Sequence, residues 1–153
     1  MKYFFVPIFS ILFFNTVNAN NVNISDDINR VFKCKFDKLI LKNQKFNYQT
    51  FLASEVNKKD LNNLIVNSIE PDILVIKGLS EFLTNNKNLE VKIVSDSVIL
   101  FKAFNDERSY SESGIINRKS GELVHEITKN IESENSEKII SFYFCKNKDL
   151  NIL

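Results

Sequence analysis

Two cysteines, Cys34 and Cys145, stand near opposite ends of the 153-residue chain, each inside a run with strand character. In "VFKCKFDKLIL" (31–41), Phe32, Cys34 and Phe36 fall on one face and Lys33 and Lys35 on the other. That is the period-two pattern of a half-buried strand. "KIISFYFCK" (138–146) is rich in β-branched and aromatic residues and also reads as a strand. A disulfide requires Cα atoms within ~7 Å. If the two thiols are joined, the first and last strands are therefore neighbours in one sheet or partners in facing sheets. A closed antiparallel barrel meets the first condition, because closing it brings the two ends of a sheet together. A bridge around a loop of about 110 residues stabilises the fold by roughly 3–5 kcal/mol in the chain-entropy picture.

Whether the thiols oxidise depends on compartment, and the N-terminus bears on that. Met1-Lys2 supplies one positive charge, Tyr3–Phe14 is an apolar run, and "NTVNAN" then turns polar. Val17 and Ala19 sit three and one residues before a possible cut. This is the three-part layout of a secretory signal peptide. The run is shorter than the ~20 apolar residues that span a bilayer, and no cysteine near the cut offers a lipid anchor. The expected organisation is a signal peptide over 1–19 and a single β-rich domain over 20–153. The protein is then periplasmic or secreted, with no stable membrane insertion after cleavage. In that setting an even cysteine count predicts the Cys34–Cys145 disulfide. Of the 20 Lys and Arg only Lys2 is lost with the signal, so residues 20–153 are neutral overall, with 19 charges of each sign. Such a chain has no broad pull on nucleic acid or on an anionic membrane.

Between the two cysteine strands further strand signals follow at short spacing: 45–52, 72–78, 89–94, 97–104, 110–116 and 122–128. Asn-, Asp-, Ser- and Lys-rich steps separate most of them, with a hairpin turn predicted at Asn43-Gln44. About eight strands spaced this way read as a sandwich or barrel. Residues 58–69 are ambiguous. Leu61, Leu64, Ile65 and Ile69 have helical spacing with Asp60 as an N-cap, yet "LIVNSI" also suits a strand. "SEFLTNN" (80–86) is a short strand or one helical turn, 20–29 a loose lead-in, and 130–138 a solvated loop. The expected fold is all-β, or mainly β with one short helix. It is an antiparallel closed barrel, with a β-sandwich as the alternative.

"SGIINRKSGEL" (113–123) places Arg118 and Lys119 between two of the three glycines of the chain. Strand-like runs flank "NRKSG", a loop of the length that forms a type I turn followed by a residue of positive φ. Asn117 can bond the backbone ahead of it and open the turn. Gly121 has no Cβ to clash at the positive-φ position. Arg118 and Lys119 are expected to project from the tip into water, which makes them the candidate partner-binding residues. With the early and late cysteines, this stretch resembles a loose group of small exported bacterial proteins with an "INR-x-[ST]-G" hairpin. Cys34, Asn117, Arg118 and Gly121 are the matching positions. The resemblance covers the first strand and the last third of the chain. It implies a lipocalin-like β-rich fold in the periplasm and no particular activity.

No catalytic constellation is nominated. His125, the single histidine, shares a strand face with Leu123 and Ile127 and reads as a packed or hydrogen-bonded core residue. Glu122 and Glu126 fall on the opposite face and read as solvated. One histidine and two distant cysteines make no zinc site, three scattered glycines make no phosphate loop, and "YSESG" lacks the first glycine of a nucleophile elbow. Asn23 begins a glycosylation sequon that matters only in a eukaryotic secretory route. The expectation is a non-enzyme with no metal or other cofactor. Nine phenylalanines remain in residues 20–153. They can line a cavity for one small apolar ligand or fill the interior outright, and the packed core is the form expected first. The function expected first is nonetheless a small exported barrel that binds such a ligand. The alternative is an interaction or inhibitor module that engages an envelope protein through its loops.

Overall fold

The computed structural model describes residues 30–70, 73–85, 90–94 and 97–148. The apolar N-terminal run, the expected cut after Ala19 and the lead-in 20–29 lie outside these residues. The described chain is mainly β. Its strands are β1 (Arg30–Lys42), β2 (Gln49–Leu52), β3 (Leu61–Glu70), β4 (Ile73–Lys77), β5 (Glu90–Val94), β6 (Val98–Phe104), β7 (Tyr110–Asn117), β8 (Glu122–Lys129) and β9 (Glu137–Asn147). One short helix, α1 (Glu81–Asn85), lies between β4 and β5. All strands join one antiparallel sheet in the order β4-β3-β1-β9-β8-β7-β6-β5, with β2 also on β1. The sheet curls into a half-barrel. Its edges are β4 and β5. Their Cα atoms approach within 8 Å, and among the described residues no strand ladder joins them.

β1 organises the sheet. One of its edges pairs with β9 from Phe32 to Lys42, while the other is divided between β3 near its start and β2 near its end. The ladder with β9 slips between Phe36 and Lys38. A bulge of this kind bends and twists the strand, and here it also changes which residues face inward. Phe32, Cys34 and Phe36 are buried before it, and Leu39 packs on the same core after it. Cys34 and Cys145 are directly paired in the register and joined by a disulfide, with their Cα atoms 3.9 Å apart.

Residues 61–70 form a strand, which decides the ambiguous segment. Leu64 and Val66 are fully buried on one face, so the inward spacing is two. Within the segment 80–86 the helical turn is the form taken, over Glu81–Asn85. Ser80 Oγ accepts the Leu83 N–H at 3.1 Å, and Leu83 is buried in the core. The strand expected over 45–52 is confined to Gln49–Leu52. Asn43 holds a turn ahead of it, its Oδ1 accepting the N–H groups of Lys45 and Phe46 at 2.9 Å each. The loop expected over 130–138 gives up Glu137 and Lys138 to β9.

The 117–121 hairpin forms as its residues dictate. Asn117 Oδ1 accepts from the N–H groups of Lys119 and Ser120 at 3.0 Å, and Gly121 has φ 77°. Glycine is required there twice over, because a Cβ would lie 2.3 Å from the Cys145 carbonyl oxygen. The Cys145 N–H in turn donates to the Gly121 carbonyl. The turn therefore abuts the disulfide rung.

Candidate functional site

The concave face of the sheet is mainly apolar, with Glu112, His125 and Ser141 set into it. Along β7 the inward positions are Glu112, Gly114 and Ile116. Gly114 is small for a packing reason, since a Cβ there would meet the Phe101 ring at 2.4 Å. In the register His125 of β8 stands opposite Gly114, and Ser141 of β9 stands opposite His125. The imidazole reaches diagonally to Glu112, with Nε2 2.7 Å from Oε2. The same oxygen accepts the Ser80 hydroxyl at 2.8 Å, and Oε1 accepts the Tyr110 hydroxyl at 2.6 Å. Glu112 is 0% exposed and His125 2%, so these bonds stand in place of water.

Burial alone pushes the Glu112 carboxyl up. Hydrogen bonds from His125 and Tyr110, the electrostatic pull of His125 and the Ser80 hydroxyl outweigh it and hold the group below the ordinary carboxylate range. Tyr110 is pushed the other way, first by burial and then by donating to Glu112 and standing in its field. With Glu112 ionised, the His125 proton facing it belongs on Nε2.

A second polar pair enters from the segment between β2 and β3. Lys58 Nζ donates to Ser141 Oγ at 2.6 Å and lies 5.7 Å from the Phe36 ring centroid and 5.6 Å from that of Tyr143. Burial lowers the Lys58 pKa, and the field of Glu112 partly restores it. Burial and the charge of Asp60 push Tyr143 up to about 12, against a hydrogen bond from Ser141. Asp60 fixes this segment to the sheet, its Oδ1 accepting the Phe36 N–H at 2.8 Å.

A general base must turn a lone pair towards a reacting proton. The Glu112 oxygens are turned to Ser80, Tyr110 and His125, and Ser141 is 1% exposed. The arrangement suits a buried, satisfied anion that positions elements: α1 through Ser80, and β7 and β8 through Tyr110 and His125. Among the described residues, no group of three His, Cys, Asp or Glu side chains is placed to hold a metal ion.

His125 sits as its pattern predicted, inward beside Leu123. Glu122 and Glu126 each have their own partner rather than acting together: the Ser120 hydroxyl donates to Glu122 at 2.9 Å, and Lys138 lies 2.9 Å from Glu126. The tip residues part company. Lys119 is exposed as expected, whereas Arg118 is half-buried, its N–H donating to the Ser97 carbonyl at 2.8 Å. This backbone bond extends the β6–β7 ladder, and the Arg118 side chain is only partly open to water. Glu112 and Lys58 went unnoticed in the sequence. The signal for Glu112 was parity, since two-residue steps from Ile116 and Gly114 lead to it.

Two open grooves mark the outside. One, of about 350 Å³, lies between the Asn43–Lys45 turn and Lys129, Asn130, Asn135 and Glu137. The other, of about 560 Å³, runs along β1, β9 and the start of β3, where Lys33, Lys35, Lys146 and Lys148 gather beside Phe144. Comparison of the chain with protein-family models, with characterised proteins and with solved structures gives no match.

Proposed function

We propose that this protein is an exported, non-enzymatic binding protein, built as a small closed barrel, that works through its outer surface. The observation that carries this reading is the filling of the concave face. Phe101, Leu64, Ile76 and Leu123 are each fully buried there, and the one carboxylate among them has its hydrogen bonds met inside the protein. Side chains thus occupy the space an apolar ligand would need. This weighs for the interaction module over the small-ligand carrier. The two open grooves lie on the outside and mix polar and apolar surface. The disulfide supports an oxidising, exported setting. The approach of β4 to β5 supports closure of the curl. Lys119 at the hairpin tip remains a contact candidate, with Arg118 bracing it from the base.

The test is native mass spectrometry of the protein recovered from the periplasm of an exporting host. The expected species is bare and oxidised. A co-purifying apolar ligand at stoichiometric occupancy would overturn the surface reading in favour of a hollow interior.

A further inference from the structure

This inference rests on the surface-binding reading and names its partner. On the outward face, neighbouring rungs of the ladder place Lys33 opposite Lys146 and Lys35 opposite Phe144. Like charges directly opposed on adjacent strands destabilise a sheet. Among the described residues no carboxylate lies within salt-bridge distance of Lys33, Lys35 or Lys146. Elsewhere on the sheet Glu126 and Glu137 are each paired with a lysine. Asp60, in the same groove, is bonded to the β1 backbone.

Beside the lysines the same face carries exposed apolar side chains, with Glu122 of β8 opposite Phe144. Phe144 is 53% exposed and Ile115 44%. The rung next to Phe144 runs Ile115, Val124, Phe142 and Lys38 across four strands. A lysine cluster bordering exposed rings and aliphatic side chains matches the interface of an anionic bilayer, where ammonium groups meet phosphates and rings enter the headgroup layer. The Lys148 N–H donates to the Val31 carbonyl at 2.8 Å, so the start of β1 and the end of β9 are held together at the basic end of the face.

We propose that the outward face of β1 and β9 docks peripherally on an anionic membrane surface, with Lys33, Lys35 and Lys146 against headgroup phosphates and Phe144 in the interfacial layer. The test compares the protein recovered from the periplasm on vesicles of phosphatidylcholine alone and of phosphatidylcholine mixed with phosphatidylglycerol. The readout is the strengthening caused by the anionic lipid. At low salt that increment is expected to fall about fivefold for each lysine neutralised in Lys33→Gln, Lys35→Gln and Lys146→Gln. It should also shrink with added salt. Phe144→Ser should weaken binding to both vesicles. An increment that survives the triple variant, or is missing from the parent protein, overturns the proposal. Lys146→Gln alone serves if the triple variant does not fold. Polyglutamate separates the two levels of the argument. If it binds the parent but not the variant, with no lipid increment, the membrane assignment falls and the surface reading stands.

Discussion

A carboxylate with no exposure survives inside a sheet only if its charge is compensated by hydrogen bonds and a nearby positive group. Glu112 meets that condition with three donors from three separate elements. Replacing it by Gln keeps the shape but sets an NH2 group against donors. Glu112→Gln is expected to lose about 2–4 kcal/mol of stability near neutral pH. Its acid response follows from the direction of the shift. The folded carboxyl titrates below its unfolded value of about 4.5, so its contribution is complete above that value. The contribution is then lost as pH falls through the folded value. The parent protein should lose stability on acidification more steeply than Glu112→Gln, and the two should converge. Urea denaturation at about pH 7 and about pH 3.5 measures this. Parallel pH dependences would show that Glu112 is not the acid-sensitive group.

At the scale of the element, the β1–β9 ladder carries the fold, and the disulfide crosses it at one rung. Replacing both Cys34 and Cys145 by Ala should cost about 2–5 kcal/mol, while the far-ultraviolet circular dichroism stays β-like because the ladder remains. Loss of the β signal in the double variant would mean that the bridge, not the pairing, holds the two strands together. Much of this element was legible in advance. The alternation around Cys34, the β-branched run ending at Cys145, and the Asn117–Gly121 turn each follow from local chemistry. What was hidden depends on neighbours. Leu61, Leu64 and Ile65 satisfy helical spacing, and only the partner strands make Leu64 and Val66 the inward pair. Arg118 looked solvated because nothing local reveals that its side chain is partly covered in the fold. A glutamate on a core face contradicts the polar-outward rule unless its donors are known. Two of the three, Ser80 and His125, come from other elements, and Ser80 is 32 residues away.

For the whole molecule the deciding question is what happens between β4 and β5. An open sheet edge presents unpaired N–H and C=O groups that invite another strand, whereas closure removes them. The chain leaves β4, turns through α1 and returns as β5, so the connecting helix lies beside the seam. Ser80 anchors that helix to the buried Glu112. The proposed closure would therefore be coupled to the polar cluster as well as to the sheet's curl. In the closed barrel, amides on both sides of β4 and β5 should exchange slowly with deuterium, approaching the protection of β3 and β6. In Glu112→Gln the seam amides should lose protection before those of β1 and β9. Fast exchange at alternate residues of β4 and β5 in the parent protein would mean open edges. An open edge would shift the site of partner binding from the lysine face to strand addition at the seam.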